Sequence, residues 1–413
     1  MRIAFIVGKF PSLSETFVLN QIIGLIDRGH QVDIYADEPG DSSKIHADVE
    51  KYQLLKHTYY TQPPSDRIWR LLKGMGLLLA NGYKYPDVLL PALKFWQYNY
   101  GKYREQGTGM RLLYSSIPLL HQQPYDIIHC HFGSYGLRGA LLREIGAIRG
   151  KLVTTFYGFD ITSFPRQAGA NIYEKLFQIG DFYTGITKFM LEKAVALGCP
   201  KDKIVILPIG VDLSKYTFEP RTLLAGEPVK IITVARLVEK KGIEYSIKAV
   251  AKVIAQHPNV EYRIVGDGEL RQPLSNLITE LKLGDRVKLL GWQTQDEVCQ
   301  LYADSHIFIL SSVTASDGDQ EGQGLVLQEA QARGLPVIST WHNGIPDGVL
   351  DGLSGFLVPE KDVDALAEKL TYLIEHPEVW PEMGRAGRNH VENNYDVNKL
   401  SDRLVEIYQQ LLS

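Results

Sequence analysis

Cysteine is scarce in this chain. Its three residues, Cys130, Cys199 and Cys299, are scattered through 413 positions, and none stands at a CxxC spacing. That argues against a disulfide framework or a structural zinc site and for a reducing compartment. Long hydrophobic runs are missing: no window approaches 18 uncharged apolar residues, so no membrane-spanning helix is expected. The opening Met1-Arg2-Ile3-Ala4-Phe5-Ile6-Val7-Gly8 is apolar only over the length of a strand and lacks a small-residue cleavage site. It does not read as a secretory signal, and a cytoplasmic protein is expected. Charge of one sign is not in excess either. The 44 Lys and Arg against 48 Asp and Glu leave a net charge of −4, no footprint for nucleic acid. Internal repeats and low-complexity tracts are absent. So is GxGxxG after the first apolar run, where Gly8-Lys9-Phe10-Pro11 stands instead, which argues against a dinucleotide-dependent oxidoreductase.

What is present is an alternation of short apolar runs with helical patterns, the rhythm of parallel sheets wound by helices. Strands are expected at residues 2–7, 31–36, 126–129, 151–155 and 203–207, then at 230–234, 261–265, 287–290, 307–310, 337–339 and 355–358. Residues 216–228 between the two sets are polar, turn-rich and without period. Two doubly wound α/β domains follow, spanning 1–212 and 229–396, with a linker at 213–228 and a last helix at about 397–411. In open sheets of this kind ligands bind beyond the carboxyl ends of the strands, and with two domains the cleft between them is the default active site.

Residues 64–114 interrupt the rhythm. Eight basic residues against three acidic ones give this segment +5 within a chain of −4, and Trp69, Trp96 and several tyrosines are interleaved with Leu77-Leu78-Leu79 and Leu89-Leu90. The composition suits a helical flap resting on an anionic membrane surface, peripheral on the inner face of the cytoplasmic membrane. A helical insertion packed on its own domain, with snorkelling basic side chains, is the alternative.

The most informative stretch is Glu321-Gly322-Gln323-Gly324-Leu325-Val326-Leu327-Gln328-Glu329. Its glycines suit a loop whose backbone passes close to a ligand. Residues 325–333 read as a helix stopped by Gly334-Leu335-Pro336. The free N–H groups at its start form a natural phosphate seat, and the two carboxylates beside that seat suit sugar hydroxyls. Two solvated glutamates flanking an ordinary helix start remain the alternative on spacing alone.

Other candidate groups follow expected strands. Arg236 follows the one at 230–234, and Lys241-Gly242 comes five residues later. A guanidinium and an ammonium suit a diphosphate clamp, although Glu239-Lys240-Lys241 also reads as a solvated charge run. Val265-Gly266-Asp267-Gly268-Glu269 is a glycine-rich strand end, a weak signal alone. His129 and His131 share one side of an extended segment, without a third metal ligand nearby. Asp317-Gly318-Asp319 invites a metal reading, but its Ser-, Thr-, Asp- and Gly-rich loop explains it as a turn.

Taken together, Ala235-Arg236-Leu237-x-x-x-Lys241-Gly242, Val265-Gly266-Asp267-Gly268, Glu321-x7-Glu329 and Gly344-Ile345-Pro346-Asp347 resemble the family 4 retaining glycosyltransferases in order and spacing. Asp126-x-x-His129-x-His131-Phe132, Thr154-Thr155-Phe156-Tyr157-Gly158-Phe159-Asp160 and Gly210-Val211-Asp212 extend the likeness through the first half. The opening Lys9-Phe10-Pro11-Ser12-Leu13-Ser14-Glu15-Thr16-Phe17 looks like the branch that builds exopolysaccharides such as colanic acid.

The resemblance implies the GT-B architecture: two Rossmann-like domains facing across a cleft, with the final helix, 397–413, crossing back to the first domain. It implies transfer of a hexose-type sugar, with retention, from a nucleoside diphosphate-sugar to a saccharide acceptor carried on a lipid. Arg236 and Lys241 would hold the diphosphate, with backbone N–H groups of Gly324, Leu325 and Val326 after Gly322. Glu329 would bind the ribose, Glu321 the donor sugar, and His131 would approach that sugar. Gly266, Gly268, Leu290 and Gly291 would border the nucleotide. Lys9, Ser14, Glu15, Tyr157 and Asp160 would lie on the acceptor side. Fixed cations and helix-start N–H groups stabilise the departing diphosphate, so no metal and no cofactor are expected. A soluble acceptor, as in sucrose or trehalose synthesis, and a non-catalytic sugar-nucleotide sensor are the competing readings. Three departures from the family pattern stand out. Tyr157 stands where many relatives have His, Ser14-Glu15-Thr16 replaces paired glycines, and Ile209 and Asn343 replace the commoner Asn and Gly.

Overall fold

The computed structural model describes residues 1–12, 15–40, 46–93 and 110–413. The chain divides into two compact units. The first comprises Met1–Ile186, Met190–Leu207 and Ser401–Ser413, and the second Thr187–Phe189 and Pro208–Leu400.

The first unit is built on a seven-stranded sheet of order β3-β2-β1-β4-β5-β6-β7. Its strands are β1 (Arg2–Phe10), β2 (Gln31–Pro39), β3 (Thr58–Tyr60), β4 (Ile127–His131), β5 (Lys151–Phe156), β6 (Phe182–Gly185) and β7 (Ile204–Ile206), all paired in parallel. Every residue of β4 is buried. That is why this run lacks the alternation of a one-faced strand. β3 and β6 were not expected from sequence. β3 is three residues long at the sheet edge, and Phe182-Tyr183-Thr184-Gly185 is too short and mixed to give a period. The end of the helix Val397–Leu412 belongs to this unit, where Tyr408 Oη lies 2.5 Å from His129 Nδ1 and Arg28 meets Asp402 at 2.6 Å.

The second unit carries a six-stranded parallel sheet of order β10-β9-β8-β11-β12-β13. The strands are β8 (Val229–Val234), β9 (Val260–Val265), β10 (Val287–Gly291), β11 (Ile307–Leu310), β12 (Val337–Thr340) and β13 (Gly355–Val358). All six coincide with expected strands to within a residue or two. β11 and β12 are wholly buried and read as continuous apolar runs, whereas β9 alternates and the edge strand β10 exposes Lys288. Residues 213–228, expected as a linker, instead pack on this unit. Tyr216 is buried in its core, and buried Arg221 donates to the carbonyls of Ala303 and Arg333, both at 2.6 Å. The lack of a period there reflects irregular backbone, not a free connector.

In each sheet the strand order reverses once, between β1 and β4 and between β8 and β11. Loops leaving neighbouring strands diverge at such a point and open a crevice at their carboxyl ends. In the second unit the diverging loops are those carrying Arg236 and Lys241 after β8 and Glu321 after β11.

The segment 64–114 is described in part, as the helices Arg67–Asn81 and Pro86–Leu93 and the start of Arg111–Ser116. Lys94, Trp96, Lys102, Arg104 and Glu105 lie outside the described residues. One face is turned inward, with Gly74, Leu89 and Ala92 buried, and within the segment Arg70 Nε donates to the Pro64 carbonyl at 2.8 Å. The other face of Arg67–Asn81 exposes Ile68, Trp69, Leu71, Leu72, Met75 and Leu79.

Candidate active site

Backbone geometry places the two cations of the second unit. The turn after β8 is stitched to the loop after β9: the Leu237 N–H donates to the Asp267 carbonyl at 2.9 Å, and the Leu270 N–H to the Leu237 carbonyl at 3.0 Å. This close approach demands glycine. A Cβ on Gly266, which has φ +125°, would stand 2.0 Å from the Ala235 carbonyl oxygen. Gly266 and Gly268 therefore act on the strand end that carries Arg236, a role their expected place beside the nucleotide did not include. Lys241 is followed by Gly242 with φ +59°, whose missing Cβ leaves room for the Ser311 carbonyl at 1.9 Å. The loop after β8 thereby lies against the loop after β11.

That contact brings Lys241 to Glu321. Lys241 Nζ donates to Glu321 Oε2 in an ion pair with side chains only 12 % and 14 % exposed. Burial pushes the Glu321 carboxyl up, but the charges of Lys241 and Lys240 and the Lys241 hydrogen bond outweigh it and hold the group at about 2. Glu321 is therefore an anion at neutral pH. Arg236, by contrast, is exposed, and no side-chain hydrogen bond or ion pair engages it among the described residues. Asp317-Gly318-Asp319 folds into a turn: Asp317 accepts the Asp319 N–H at 2.8 Å, and Asp319 pairs with Lys240 at 3.0 Å.

The helix Leu325–Ala332 starts one turn beyond Glu321, with Gly324 at φ +71° as its N-cap and no side-chain cap. Gly324, Leu325 and Val326 thus present uncapped backbone at the expected phosphate seat. Gln323 is turned away from it, its amide bonded to both polar groups of the Ile209 backbone at 2.8 and 2.9 Å. Position 209 is thus held through its backbone, with its side chain buried.

Glu329 faces two phenols. Tyr302 donates to it at 3.3 Å and Tyr216 bonds it as well. Burial raises its carboxyl to about 7, and these bonds offset only part of the rise. Leu290 and Gly291 end β10, where the Gly266 N–H donates to the Gly291 carbonyl at 2.8 Å.

In the first unit, β4 carries His129 and His131 with rings stacked at 4.5 Å. His129 is bonded at both nitrogens, to Tyr408 and to Thr155 Oγ1 at 2.7 Å, and burial lowers it to about 3. Its role is structural. His131 is bonded at Nδ1 to the Tyr157 hydroxyl at 2.6 Å, and burial followed by the neighbouring His129 drives its pKa well below the usual value. Its Nε2 finds no partner among the described residues. Tyr157 thus fixes the His131 ring. Asp160, expected on the acceptor side, accepts the N–H groups of Gly133, Tyr157 and Gly158 at 2.8–3.1 Å and shapes that turn instead. Three backbone donors leave it little capacity for a substrate hydroxyl. Lys9 is exposed, and Glu15, at the start of the helix Thr16–Asp27, is raised to about 7 by burial. Ser14 lies outside the described residues.

Two family models cover the chain: Glycosyltransferase Family 4 matches residues 14–215, and Glycosyl transferases group 1 matches residues 215–390. The chain is 37 % identical to a putative colanic acid biosynthesis glycosyltransferase, WcaL, of Salmonella typhimurium over 100 % of both chains. It belongs to the family 4 glycosyltransferases. This glycosyltransferase is also 35 % identical to the amylovoran biosynthesis glycosyltransferase AmsK of Erwinia amylovora, again over 100 % of each. Among solved structures it is similar to Anabaena HepE in complex with UDP and glucose, with a TM-score of 0.70 at 19 % identity over 99 % of this chain and 100 % of the other. That likeness shows the fold, which is GT-B with two Rossmann-like domains.

Sequence reasoning missed the groups that hold the glycosyltransferase's acidic pair in place. Tyr216 and Tyr302 lay in a presumed linker and in an ordinary amphipathic helix, and nothing marked them. His342 did carry a signal. It stands just past the carboxyl end of β12, the position that drew attention to Arg236 after β8.

Proposed function

We propose that this glycosyltransferase moves a hexose-type sugar, with retention and without a metal ion, from a nucleoside diphosphate-sugar to a lipid-linked saccharide in exopolysaccharide or cell-surface glycan synthesis. The observation that carries the reading is the Lys241–Glu321 pair beside an uncapped helix start, with exposed Arg236 on the same loop as Lys241. Departure of a diphosphate develops negative charge on the leaving group and oxocarbenium character on the sugar. Arg236, Lys241 and the N–H groups at 324–326 offer fixed positive charge to the first. Glu321, anionic at neutral pH, accepts hydroxyls of the sugar next to the breaking bond. Glu329, with its carboxyl walled by Tyr216 and Tyr302, accepts the ribose hydroxyls. Retention follows from attack by the acceptor hydroxyl on the face the diphosphate leaves, with a phosphate oxygen taking the proton. No carboxylate is assigned as a nucleophile, because the acceptor hydroxyl itself attacks on that face.

Support for the donor class comes from the fold relative bound to UDP and glucose, and for the pathway from relatives named for colanic acid and amylovoran biosynthesis. The lipid-linked acceptor is supported by the exposed apolar face of Arg67–Asn81 beside a basic segment. A panel of UDP- and GDP-sugars in thermal shift identifies the donor, since a tight binder raises the melting temperature by mass action. Turnover of the stabilising donor is then followed by NMR of the product's anomeric centre, with and without EDTA. Inverted product rejects retention, and complete loss in EDTA rejects the metal-free mechanism. No stabilisation by any nucleotide-sugar rejects the donor class.

A further inference from the structure

The peptide of Glu321 is held from outside its own loop. His342, whose side chain is fully buried, follows β12 and turns its ring to that peptide. His342 Nε2 accepts the Glu321 N–H at 3.1 Å, and the same lone pair faces Asn343 Nδ2 at 2.8 Å. Asn343 Nδ2 also donates to the Glu321 carbonyl at 3.3 Å. On the far side of the ring, His342 Nδ1 lies 2.5 Å from Glu360 Oε1, and Glu360 Oε2 accepts the Thr314 N–H at 2.9 Å. Two adjacent side chains therefore grip the backbone N–H and the backbone carbonyl of one residue, Glu321. The carboxylate behind them anchors the loop that leads into it. Nε2 is thus the accepting side of the ring, and Nδ1 the side that faces Glu360.

The geometry also accounts for a departure from the family pattern. Asn343 stands where Gly is commoner, with φ +45°. Asn tolerates this left-handed conformation at lower cost than most side chains, so the turn survives and gains an amide directed at Glu321. Gly344, next in the chain, packs against the Gly322 carbonyl, which a Cβ would approach to 2.4 Å. The turn 342–344 is thus moulded around the backbone of 321–322.

We propose that His342 and Asn343, backed by Glu360, are positioning residues that aim the Glu321 carboxylate at Lys241 and at the donor sugar. The inference rests on the reading of Glu321 as the sugar-binding carboxylate. The relay touches neither the diphosphate seat nor the ribose carboxylate, so disturbing it affects the reacting sugar selectively. Loss of a hydrogen bond that orients a catalytic group costs on the order of 10- to 100-fold in activity.

The test uses the full chain and four variants: Asn343→Gly, which keeps the turn and deletes the amide, His342→Ala, His342→Gln, which restores an acceptor, and Glu321→Ala. Two quantities are read for each. One is release of nucleoside diphosphate from whichever of UDP-glucose, UDP-galactose and GDP-mannose the parent turns over. The other is affinity for UDP or GDP alone. The expected result is a fall in kcat of about 10-fold for Asn343→Gly and about 100-fold for His342→Ala. His342→Gln should recover a large part, and nucleotide affinity should stay within about two-fold. Turnover by the His342 and Asn343 variants within two-fold of the parent overturns the proposal, provided Glu321→Ala is inactive. An equal loss of nucleotide affinity and turnover also overturns it, because it marks a merely structural role. If Glu321→Ala keeps full turnover, the underlying reading of the site fails, and that outcome is distinct from the other two.

Discussion

Lys241 donates its ammonium hydrogen to Glu321 across eighty residues of sequence, joining the loop after β8 to the loop after β11 in a largely buried ion pair. Each partner removes a cost that the other would otherwise carry. Lys241→Met leaves the carboxylate buried without its nearest cation, a change worth about 3 kcal/mol of stability and readable by urea denaturation. Transfer should fall about 100-fold or more, the scale for losing one fixed donor to developing charge. The pH dependence follows from the depressed carboxyl. Its contribution to stability is complete above the unfolded value of 4.5 and fades as pH falls toward about 2. The stability gap between parent and variant should therefore narrow with acid below pH 4.5. A gap of constant size down to pH 3 contradicts the assignment.

Arg236 behaves differently because nothing holds it. Its guanidinium is exposed and unpaired among the described residues, so Arg236→Ala should leave unfolding free energy within about 0.5 kcal/mol of the parent. Binding should not be spared. A hydrogen bond to a charged group is worth about 1.5–3 kcal/mol, which predicts roughly 10- to 100-fold weaker binding of nucleoside diphosphate by calorimetry. Unchanged affinity would remove Arg236 from the diphosphate site.

Glu329 offers a pH signature of the opposite sign. Burial raises its carboxyl from 4.5 to about 7, so the folded protein retains a proton that the unfolded chain has lost. Its contribution to stability is complete below pH 4.5 and is lost as pH rises through about 7. Glu329→Gln keeps the shape without the titration, so its melting temperature relative to the parent should rise between pH 5 and pH 8. If the anion accepts ribose hydroxyls, nucleotide affinity of the parent should strengthen over the same range, and the Gln variant should be weaker and flat. A parent profile that is flat from pH 6 to 8 removes the ribose role.

The second unit's fold was legible from sequence for a simple reason. Its central strands are buried on both faces and stand out as continuous apolar runs such as Ile307–Leu310, while Val260–Val265 shows itself by alternation. β3 and β6 were not legible, since three or four residues at or near a sheet edge carry too little period. The site divides in the same way. Arg236, Lys241, Glu321 and Glu329 sat at strand ends or a helix start, where chemistry shows through the pattern. The contact between Lys241 and Glu321 was invisible, because a spacing of eighty residues states no distance. The conversion of Asp160 from a ligand group to a backbone clamp was also hidden, since only the folded turn 157–160 brings three N–H groups to one carboxylate. His342, Asn343 and Glu360 were missed for that reason too: their function depends on where the Glu321 peptide lies.

The helix Arg67–Asn81 gives the acceptor question a physical handle. Ile68, Leu72, Met75 and Leu79 recur at helical spacing, and all four are exposed; Leu79 is 83 % exposed and Trp69, on the shoulder of the stripe, 67 %. Such a stripe gains from leaving water, at about 1.5–3 kcal/mol for a fully buried Leu or Met side chain. Arg67, Lys73 and Lys84 add attraction to an anionic surface. Leu72→Asp with Leu79→Asp should then weaken association with vesicles of phosphatidylglycerol and phosphatidylethanolamine at least 100-fold by sedimentation. Folding should be spared, because both side chains are exposed. Donor hydrolysis in solution should also be unchanged, since the Lys241–Glu321 site lies in the other unit. Transfer to an acceptor presented in the same vesicles should fall with binding. If the double variant sediments with vesicles as the parent does, the face is not a membrane contact, and the case for a soluble acceptor strengthens.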